Sequence, residues 1–236
     1  MKRLLVAGAR GGIGAACVNA ARAAGAQVFE ADRDTYDVTV SEGADAAVAR
    51  AAEALDGLDG IVHAVGMSGR RLGDGPVDEC GDEAWSEVHR VDLDSVFYLL
   101  RAGIRQLSRA KGSGGAGGSI VVIGSALAST LDADFLTAAY ATAKGALVPL
   151  VRSAAFTGAP KGVRVNIVAA GLVDTPMAAR AMTDPAIQDR LPRLMPLGAR
   201  ACSPEEIADT AMWLLSDGSS RTTGAVVPVD GGWHLR

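Results

Sequence analysis

Tyr140 and Lys144 stand four residues apart in Tyr140-Ala-Thr-Ala-Lys144. On a helix this spacing places both side chains on one face, with Cβ atoms roughly 6 Å apart. An ammonium at that distance favours the phenolate and draws a phenol below its ordinary pKa of about 10. A phenol adjusted in this way serves as a general acid or base near neutral pH. Ser125 closes an apolar run upstream. Its hydroxyl can hold a substrate oxygen beside the phenol, or can be a turn serine. A second group is Gly8, Gly12 and Gly14, spaced GxxxGxG between an apolar run and an Ala-rich stretch. Glycines there let the backbone turn tightly and let a pyrophosphate approach the positive end of a helix. Asp32 ends the next apolar run. A carboxylate at that point can accept both hydroxyls of an adenosine ribose and repels a 2′-phosphate, or it can be a solvated loop acid. Arg33 follows and could hold such a phosphate. Arg10, inside the glycine turn, could reach a phosphate or sit in solvent.

Short apolar runs alternating with longer helical stretches must position these groups. Strands are expected at Leu4–Ala7, Gln27–Ala31, Leu58–Ala64, Ser119–Ile123, Val163–Val168 and Ala225–Val229, with a very short one at Tyr36–Val38. Helices are expected over Ile13–Ala24, ended by Gly25, and from a capping Ser41 to about Leu55. Asp82 to about Arg109 reads as helical, and the Gly/Ser stretch Gly112–Gly118 closes it. Ala138–Phe156, ended by Gly158, reads the same way. Ser203-Pro-Glu-Glu206 reads as a capping box opening a helix to Leu215. Lys111–Gly118 reads as a flexible surface loop. Continuous apolar strands between helices mean a parallel sheet covered on both faces. The expectation is one α/β domain over residues 1–236, a doubly wound Rossmann-type parallel sheet. The segment at about 172–199 is expected to cover the substrate with Met177, Met182, Leu191, Leu194, Met195 and Leu197, although the same side chains suit a subunit contact.

The 236 residues are 49% apolar and 21% charged, which excludes disordered, collagenous and coiled-coil classes. Lys plus Arg number 23 against 27 Asp plus Glu, a net charge of −4, so no basic excess points to nucleic acid or an anionic membrane. Cys17, Cys80 and Cys202 have neither disulfide nor metal-ligand spacing, and no metal site is expected. Arg10 interrupts the apolar N-terminal run too early for a secretion signal, and no run reaches a membrane span. The expectation is a cytoplasmic protein.

The chain resembles the short-chain dehydrogenases/reductases of the compact single-domain branch. The resemblance rests on Gly8-Ala-Arg-Gly-Gly-Ile-Gly14, Asp37-Val38, Ser125, Tyr140-Ala-Thr-Ala-Lys144, Gly162-Val-Arg-Val-Asn166, Ala170-Gly171 and Thr175-Pro-Met177, then Pro204-Glu-Glu-Ile-Ala208, Thr223-Gly224 and Asp230-Gly-Gly232. It spans nearly the whole chain in order. It implies an NAD(H)-dependent oxidoreductase interconverting an alcohol and a carbonyl, with Tyr140 moving the proton and Ser125 positioning the substrate oxygen. Lys144 would lower the Tyr140 pKa and bind the nicotinamide ribose. Gly8, Arg10, Gly11, Gly12, Ile13 and Gly14 would hold the cofactor phosphates, Asp32 and Arg33 face its adenosine ribose, and Asp37 and Val38 contact adenine. Ala64, Val65 and Gly66 would add contacts to the cofactor. Val173 and Thr175 would hold the carboxamide and diphosphate. The implied assembly is a homodimer or homotetramer.

Several positions depart from that pattern. His63-Ala-Val-Gly66 stands where Asn-Asn-Ala-Gly is usual, with His63 read as a packed residue. Ala7 replaces a threonine. Asp92 occupies the place of an asparagine that holds a relay water through its backbone carbonyl; a carboxylate there could disturb local charge. Arg33–Tyr36 is too short for the usual helix, which could leave a sheet edge open near the adenosine pocket. Two alternatives follow. One is an NADP-linked carbonyl reductase, motivated by Arg33. The other is a non-catalytic nucleotide-binding regulatory protein, motivated by Asp92 and the altered Gly66 loop.

Overall fold

The computed structural model describes residues 2–112 and 117–235. Apolar runs rich in Val and Ile form β1 (Arg3–Ala7), β2 (Gln27–Ala31), β3 (Gly60–His63), β4 (Gly118–Ser125), β5 (Val163–Ala170) and β6 (Val226–Val229). Among the described residues these make one parallel sheet in the order β2-β1-β3-β4-β5-β6. Side chains alternate between its faces. Leu4 and Val6 therefore enter one core with Cys17, Ile207 and Leu214, while Leu5 and Ala7 enter the other with Val48, Leu99 and Leu147. The helices α1 (Gly12–Ala23) and α8 (Pro204–Leu215) cover the first face. The helices α2 (Ser41–Ala54), α4 (Ser95–Gly112) and α5 (Ala138–Gly158) cover the second. This is a doubly wound Rossmann-type α/β domain, with its strand order reversing between β1 and β3.

Four local expectations are corrected. Tyr36–Val38 is not a strand. Thr35 N and Tyr36 N donate to Asp32 O, and the Asp37 carboxylate accepts from Thr39 N, which turns the chain straight into α2. β2 is left as the sheet edge, as the short connection suggests. Ser41 is the first helical residue rather than the cap. Val40 holds the cap position, and the Ser41 hydroxyl accepts from Arg101 at 2.6 Å. The long helix from Asp82 breaks into α3 (Asp82–His89), a π-helical turn at Arg90–Asp94, and α4. Gly158 is still helical; the chain leaves through Gly162, whose φ of 77° is left-handed. The capping box forms as expected, with Glu206 N donating to Ser203 Oγ at 3.3 Å and Ser203 N to Glu206 Oε2 at 2.8 Å. Residues 113–116 of the Lys111–Gly118 stretch lie outside the described residues.

The segment after β5 contains α6 (Ala179–Thr183) and α7 (Pro185–Leu194). Ile187, Leu191, Leu194 and Met195 are buried in the first core, and Leu197 is exposed. Met182 is half-buried against that core. Of the six apolar residues expected over the substrate, only Met177 lines the cavity, because α7 turns its apolar face to the domain interior.

Candidate active site

Parallel strands open their functional loops at their C-terminal ends. Here those ends carry Gly8 after β1, Ala64 after β3, Ser125 on β4 and Gly171 after β5. Ser125 and Ala170 are register partners, so the β4 and β5 ends lie side by side. Between them opens a cavity of about 420 Å³. Ser125, Tyr140, Lys144 and Asp92 all reach its wall, together with Ile13, Ala64, Val65, Gly66, Val173 and Thr175.

The glycine turn borders this cavity without lining it. Gly8 has φ 78°, and a Cβ on it would stand 2.8 Å from the Ala64 carbonyl carbon. A Cβ on Gly14 would stand 1.9 Å from Gly8 O, and one on Gly12 would stand 2.6 Å from Thr175 Cγ2. The turn thus packs backbone on backbone against the β3 loop and backbone against the Thr175 side chain, which ties β1 to both segments. Gly11 caps α1 without a side-chain hydrogen bond, and the first turn of the helix holds no acid. The positive end of α1 accordingly carries neither a side-chain cap nor an acid and suits an anion.

Asp32 lies just past β2, outside the cavity lining. Its Oδ2 accepts from Arg10 N at 2.9 Å and its Oδ1 from Arg33 N at 2.9 Å. Backbone donors therefore fix the carboxylate at the strand end. The Arg10 guanidinium is paired with Asp34, which holds the Asp34 carboxyl below its ordinary range. Arg33 is exposed. Asp37 and Val38 also lie outside the lining. Asp37 bonds Thr39, and Val38 is buried in the second core.

The acid–base group is held from several distant segments. Asp74 is buried, and its two carboxylate oxygens accept from Ala139 N at 2.9 Å and Tyr140 N at 3.0 Å. Gly75 O accepts from Ala138 N at 2.8 Å. The loop before α3 thus supplies the cap that Thr137 does not make, and it sets the first turn of α5, where Tyr140 sits. One turn later, Lys144 Nζ lies 2.9 Å from Asp92 Oδ1 and 3.3 Å from Ile123 O. The other Asp92 oxygen accepts from Met67 N at 3.0 Å. The π-helical turn places Asp92 there, at a bulge of the kind that collects at functional sites. Gly66 makes room for it, since a Cβ at Gly66 would meet Asp92 Oδ1 at 2.7 Å.

Three charge states are coupled here. Burial raises the Tyr140 phenol above its ordinary value. Lys144 pulls it down, the Asp92 carboxylate pushes it up, and a hydrogen bond with Ser125 pulls it down again. The net direction is upward. Lys144 acts in the expected sense, and what is corrected is the expectation of a net lowering, because desolvation and the Asp92 charge outweigh the ammonium. Burial depresses Lys144, yet Asp92 and Tyr140 raise it beyond the ordinary lysine value. Burial raises Asp92, and Lys144 partly offsets this. The Asp92 carboxylate is thus paired with Lys144, a contact beyond the backbone role that the resemblance implied.

His63 is buried, and burial pushes its pKa down to about 3. Ser95 Oγ donates to Val91 O at 2.5 Å, so the 2.9 Å contact with His63 Nε2 is an N–H donated by the imidazole. This leaves Nδ1 bare of protein partners. His63 is a packed neutral residue, as read from the sequence. Among the described residues no group of three or more His, Cys, Asp or Glu is placed to hold a metal, and no helix is long and apolar enough to cross a membrane.

Three side chains that line the cavity, and Asp74 beneath the start of α5, escape any motif. Asp74 is remote from α5 in sequence, and only its place between Gly73 and Gly75 hints at a tight turn. Arg70, Phe135 and Arg180 line the cavity, and no spacing rule connects them.

A doubly wound sheet with its cavity at the strand ends beyond the β1/β3 reversal defines a dinucleotide-binding α/β protein. Comparison with known proteins narrows the class. The family model described as enoyl-(acyl carrier protein) reductase matches residues 35–234. The chain is 32% identical over 249 residues to a cis-4-hydroxycyclohexanecarboxylate dehydrogenase of Sinomonas cyclohexanicum, covering 97% of this chain and 95% of the relative. It is 33% identical over 249 residues to a galactitol 2-dehydrogenase (L-tagatose-forming) of Cereibacter sphaeroides, covering 98% and 94%. A solved short-chain type dehydrogenase/reductase from Mycobacterium ulcerans superposes with a TM-score of 0.89 at 28% identity, covering 100% of this chain and 90% of that one. The chain belongs to the short-chain dehydrogenase/reductase family of oxidoreductases.

Proposed function

We propose that this protein is an NAD(H)-dependent oxidoreductase that interconverts a secondary alcohol and a carbonyl through Ser125, Tyr140 and Lys144. The observation that carries the reading is the convergence of these three side chains on one cavity wall. The uncapped α1 N-terminus and the Gly8–Gly14 turn fit a pyrophosphate, and the fixed Asp32 carboxylate fits an unphosphorylated adenosine ribose. Lys144, Val173 and Thr175 are the residues that would hold the nicotinamide half. When bound, that cofactor supplies the acceptor or donor of the hydride.

The protein's part is proton transfer and positioning. Ser125 holds the substrate oxygen. In carbonyl reduction Tyr140 gives its proton to that oxygen, and in alcohol oxidation it takes one. Lys144 stabilises the phenolate, and Asp92 anchors Lys144. The upward direction of the Tyr140 pKa keeps the phenol protonated at neutral pH, which suits the reductive direction. Asp32 supports NAD over NADP, because a 2′-phosphate there would face a carboxylate. Relatives named for cyclic and open-chain alcohols support a secondary alcohol as the substrate group. Exposed Phe156 and Leu197 support a homo-oligomer, which light scattering coupled to gel filtration tests.

Tyr140→Phe tests the chemistry. Turnover of a panel of alcohols and ketones is expected to fall by about 10²-fold or more, with NADH binding retained, followed by nicotinamide absorbance and fluorescence. Undiminished turnover in that variant sinks the mechanism. Tighter binding of NADPH than NADH sinks the cofactor assignment.

A further inference from the structure

On the wall of the cavity two guanidinium groups meet on one backbone oxygen. Arg70 Nη2 donates to Asp134 O at 3.2 Å, and Arg180 Nη2 donates to the same oxygen at 2.8 Å. Both arginines line the cavity that also holds Tyr140 and Ser125. Two like charges this close repel, and a neutral carbonyl returns only part of what the pair needs.

Nearby carboxylates are largely committed elsewhere. Asp134 pairs its own carboxylate with Arg190. Asp74, which attracts Arg70, spends both oxygens on the first turn of α5. Asp184 accepts from Ala186 N through Oδ1, and its Oδ2 stands 3.9 Å from Arg180 Nη1, at the outer edge of an ion pair. Burial and the neighbouring Arg180 both hold Arg70 below the ordinary arginine value. Each guanidinium carries five N–H donors, far more than these contacts use.

Apolar side chains share that wall. Phe135 lies edge-on to Trp233 with centroids 5.0 Å apart, and the Arg180 guanidinium stands 5.9 Å from the Phe135 ring centre. We infer that Arg70 and Arg180 form an oxyanion subsite, so that the substrate is a hydroxy or oxo acid: an apolar body with a secondary alcohol or ketone at Tyr140 and a carboxylate or phosphate-type group at the two arginines. The inference deepens the proposed oxidoreductase reading and rests on it for the reacting end of the substrate. The shared recognition chemistry is a planar or tetrahedral oxyanion taken by forked N–H donors.

The test compares each keto acid with its neutral isostere on the whole protein with NADH. The probes are levulinate against levulinamide, 4-oxocyclohexanecarboxylate against its carboxamide, and a phosphonate replacing the carboxylate of levulinate. Turnover is followed by loss of reduced-nicotinamide absorbance, and binding by calorimetry. In the wild type, kcat/KM and affinity are expected to favour an acid over its amide by about tenfold or more, the scale of charge-assisted hydrogen bonds. In Arg70→Gln/Arg180→Gln the acid-to-amide ratio is expected to fall to about one. Arg180→Gln alone, at an exposed side chain, carries the same comparison if the double variant does not fold. The carboxylate and phosphonate arms separate the two kinds of oxyanion.

An acid-to-amide ratio near one in the wild type, or no binding of any probe, overturns the subsite. A ratio left intact in the arginine variants overturns it too. Acid-selective binding without turnover upholds the subsite and removes the oxidoreductase reading. Turnover of amide and acid alike does the reverse.

Discussion

The two sides of the cavity are built from different materials. On the β1 side the border is a glycine turn: Gly8 and Gly14 bring main chain against main chain, Gly12 packs on the Thr175 side chain, and a Cβ at any of the three would stand closer than such atoms can approach. On the β4–α5 side the wall is buried charge, Asp92 on Lys144 and Lys144 beside Tyr140, with Asp74 behind it under the helix start. A backbone wall fails by steric clash and ignores pH. A wall of buried charge tolerates small changes of shape and responds to any change in ionisation. On the proposed function the first holds a ligand of constant form, and the second moves a proton. The two are joined at Gly66, whose missing Cβ admits the Asp92 carboxylate, and at Gly12, which packs on Thr175.

The largest break is expected on the backbone side. Gly14→Ala places a Cβ 1.9 Å from Gly8 O. Relief requires moving the turn or the helix, a cost of about 3 kcal/mol or more. Urea unfolding is expected to show that loss, together with loss of NADH binding. Near-native stability with native affinity would mean that the turn is not the rigid contact described. On the charged side, Asp74→Ala strips the acceptors from Ala139 N and Tyr140 N. A loss of about 2 kcal/mol is expected from a missing cap whose donors are buried. NADH affinity is expected to hold while kcat falls, because Tyr140 loses its fixed helix turn. A fall in NADH affinity with kcat preserved would reverse the assignment of Asp74 to the acid–base side.

The same contrast explains what could be read from residues alone. Sheet, helices and glycine turn were legible because each is local: β-branched runs between turn signals, an Ala-rich stretch after glycines, a Ser-Pro-Glu-Glu cap. Tyr140 and Lys144 were legible for the same reason, one helical turn apart. Asp74, Arg70 and Arg180 were not, because their partners lie far along the chain and only the fold brings them together. Tyr36–Val38 misled because its short apolar pattern competes with side-chain turns at Asp32 and Asp37 that no alternation of residues reveals. The direction of the Tyr140 pKa was misread because spacing reports Lys144 but neither burial nor the carboxylate of Asp92. Met195 and Leu191 carried an apolar signal that fits a core face as well as a substrate cover.

A subtler change sharpens the charged side. Asp92→Asn keeps the shape and removes one charge. It takes away an influence that raises Tyr140 and another that raises Lys144, so both groups titrate lower. Alcohol oxidation needs the phenolate, so its rise with pH is expected to begin at lower pH in the variant. Carbonyl reduction needs the protonated phenol, so its decline is expected to begin at lower pH as well. NADH binding through the glycine turn stays as it was. A pH profile unmoved by the substitution would show that the Asp92 carboxylate is not felt at Tyr140.

His63 gives the smallest effect and the finest separation of the two sides, since it ends β3 directly before the Ala64–Gly66 loop and also feels Lys144. At neutral pH it is uncharged both folded and mostly unfolded, so it contributes little pH dependence there. Its folded pKa is about 3, against an ordinary value of 6.5. Between those values the unfolded chain binds a proton that the folded chain refuses, so stability falls as pH falls, by about 1.4 kcal/mol per pH unit well inside the window. Below the folded pKa both states are protonated and the slope vanishes. His63→Asn removes this titration. Urea unfolding at pH values from about 7 down to about 5 is expected to show the wild type losing about 2 kcal/mol more than the variant over that span. Equal losses would mean that His63 accepts its proton in place, and the β3 end would then belong with the charged wall that answers to pH.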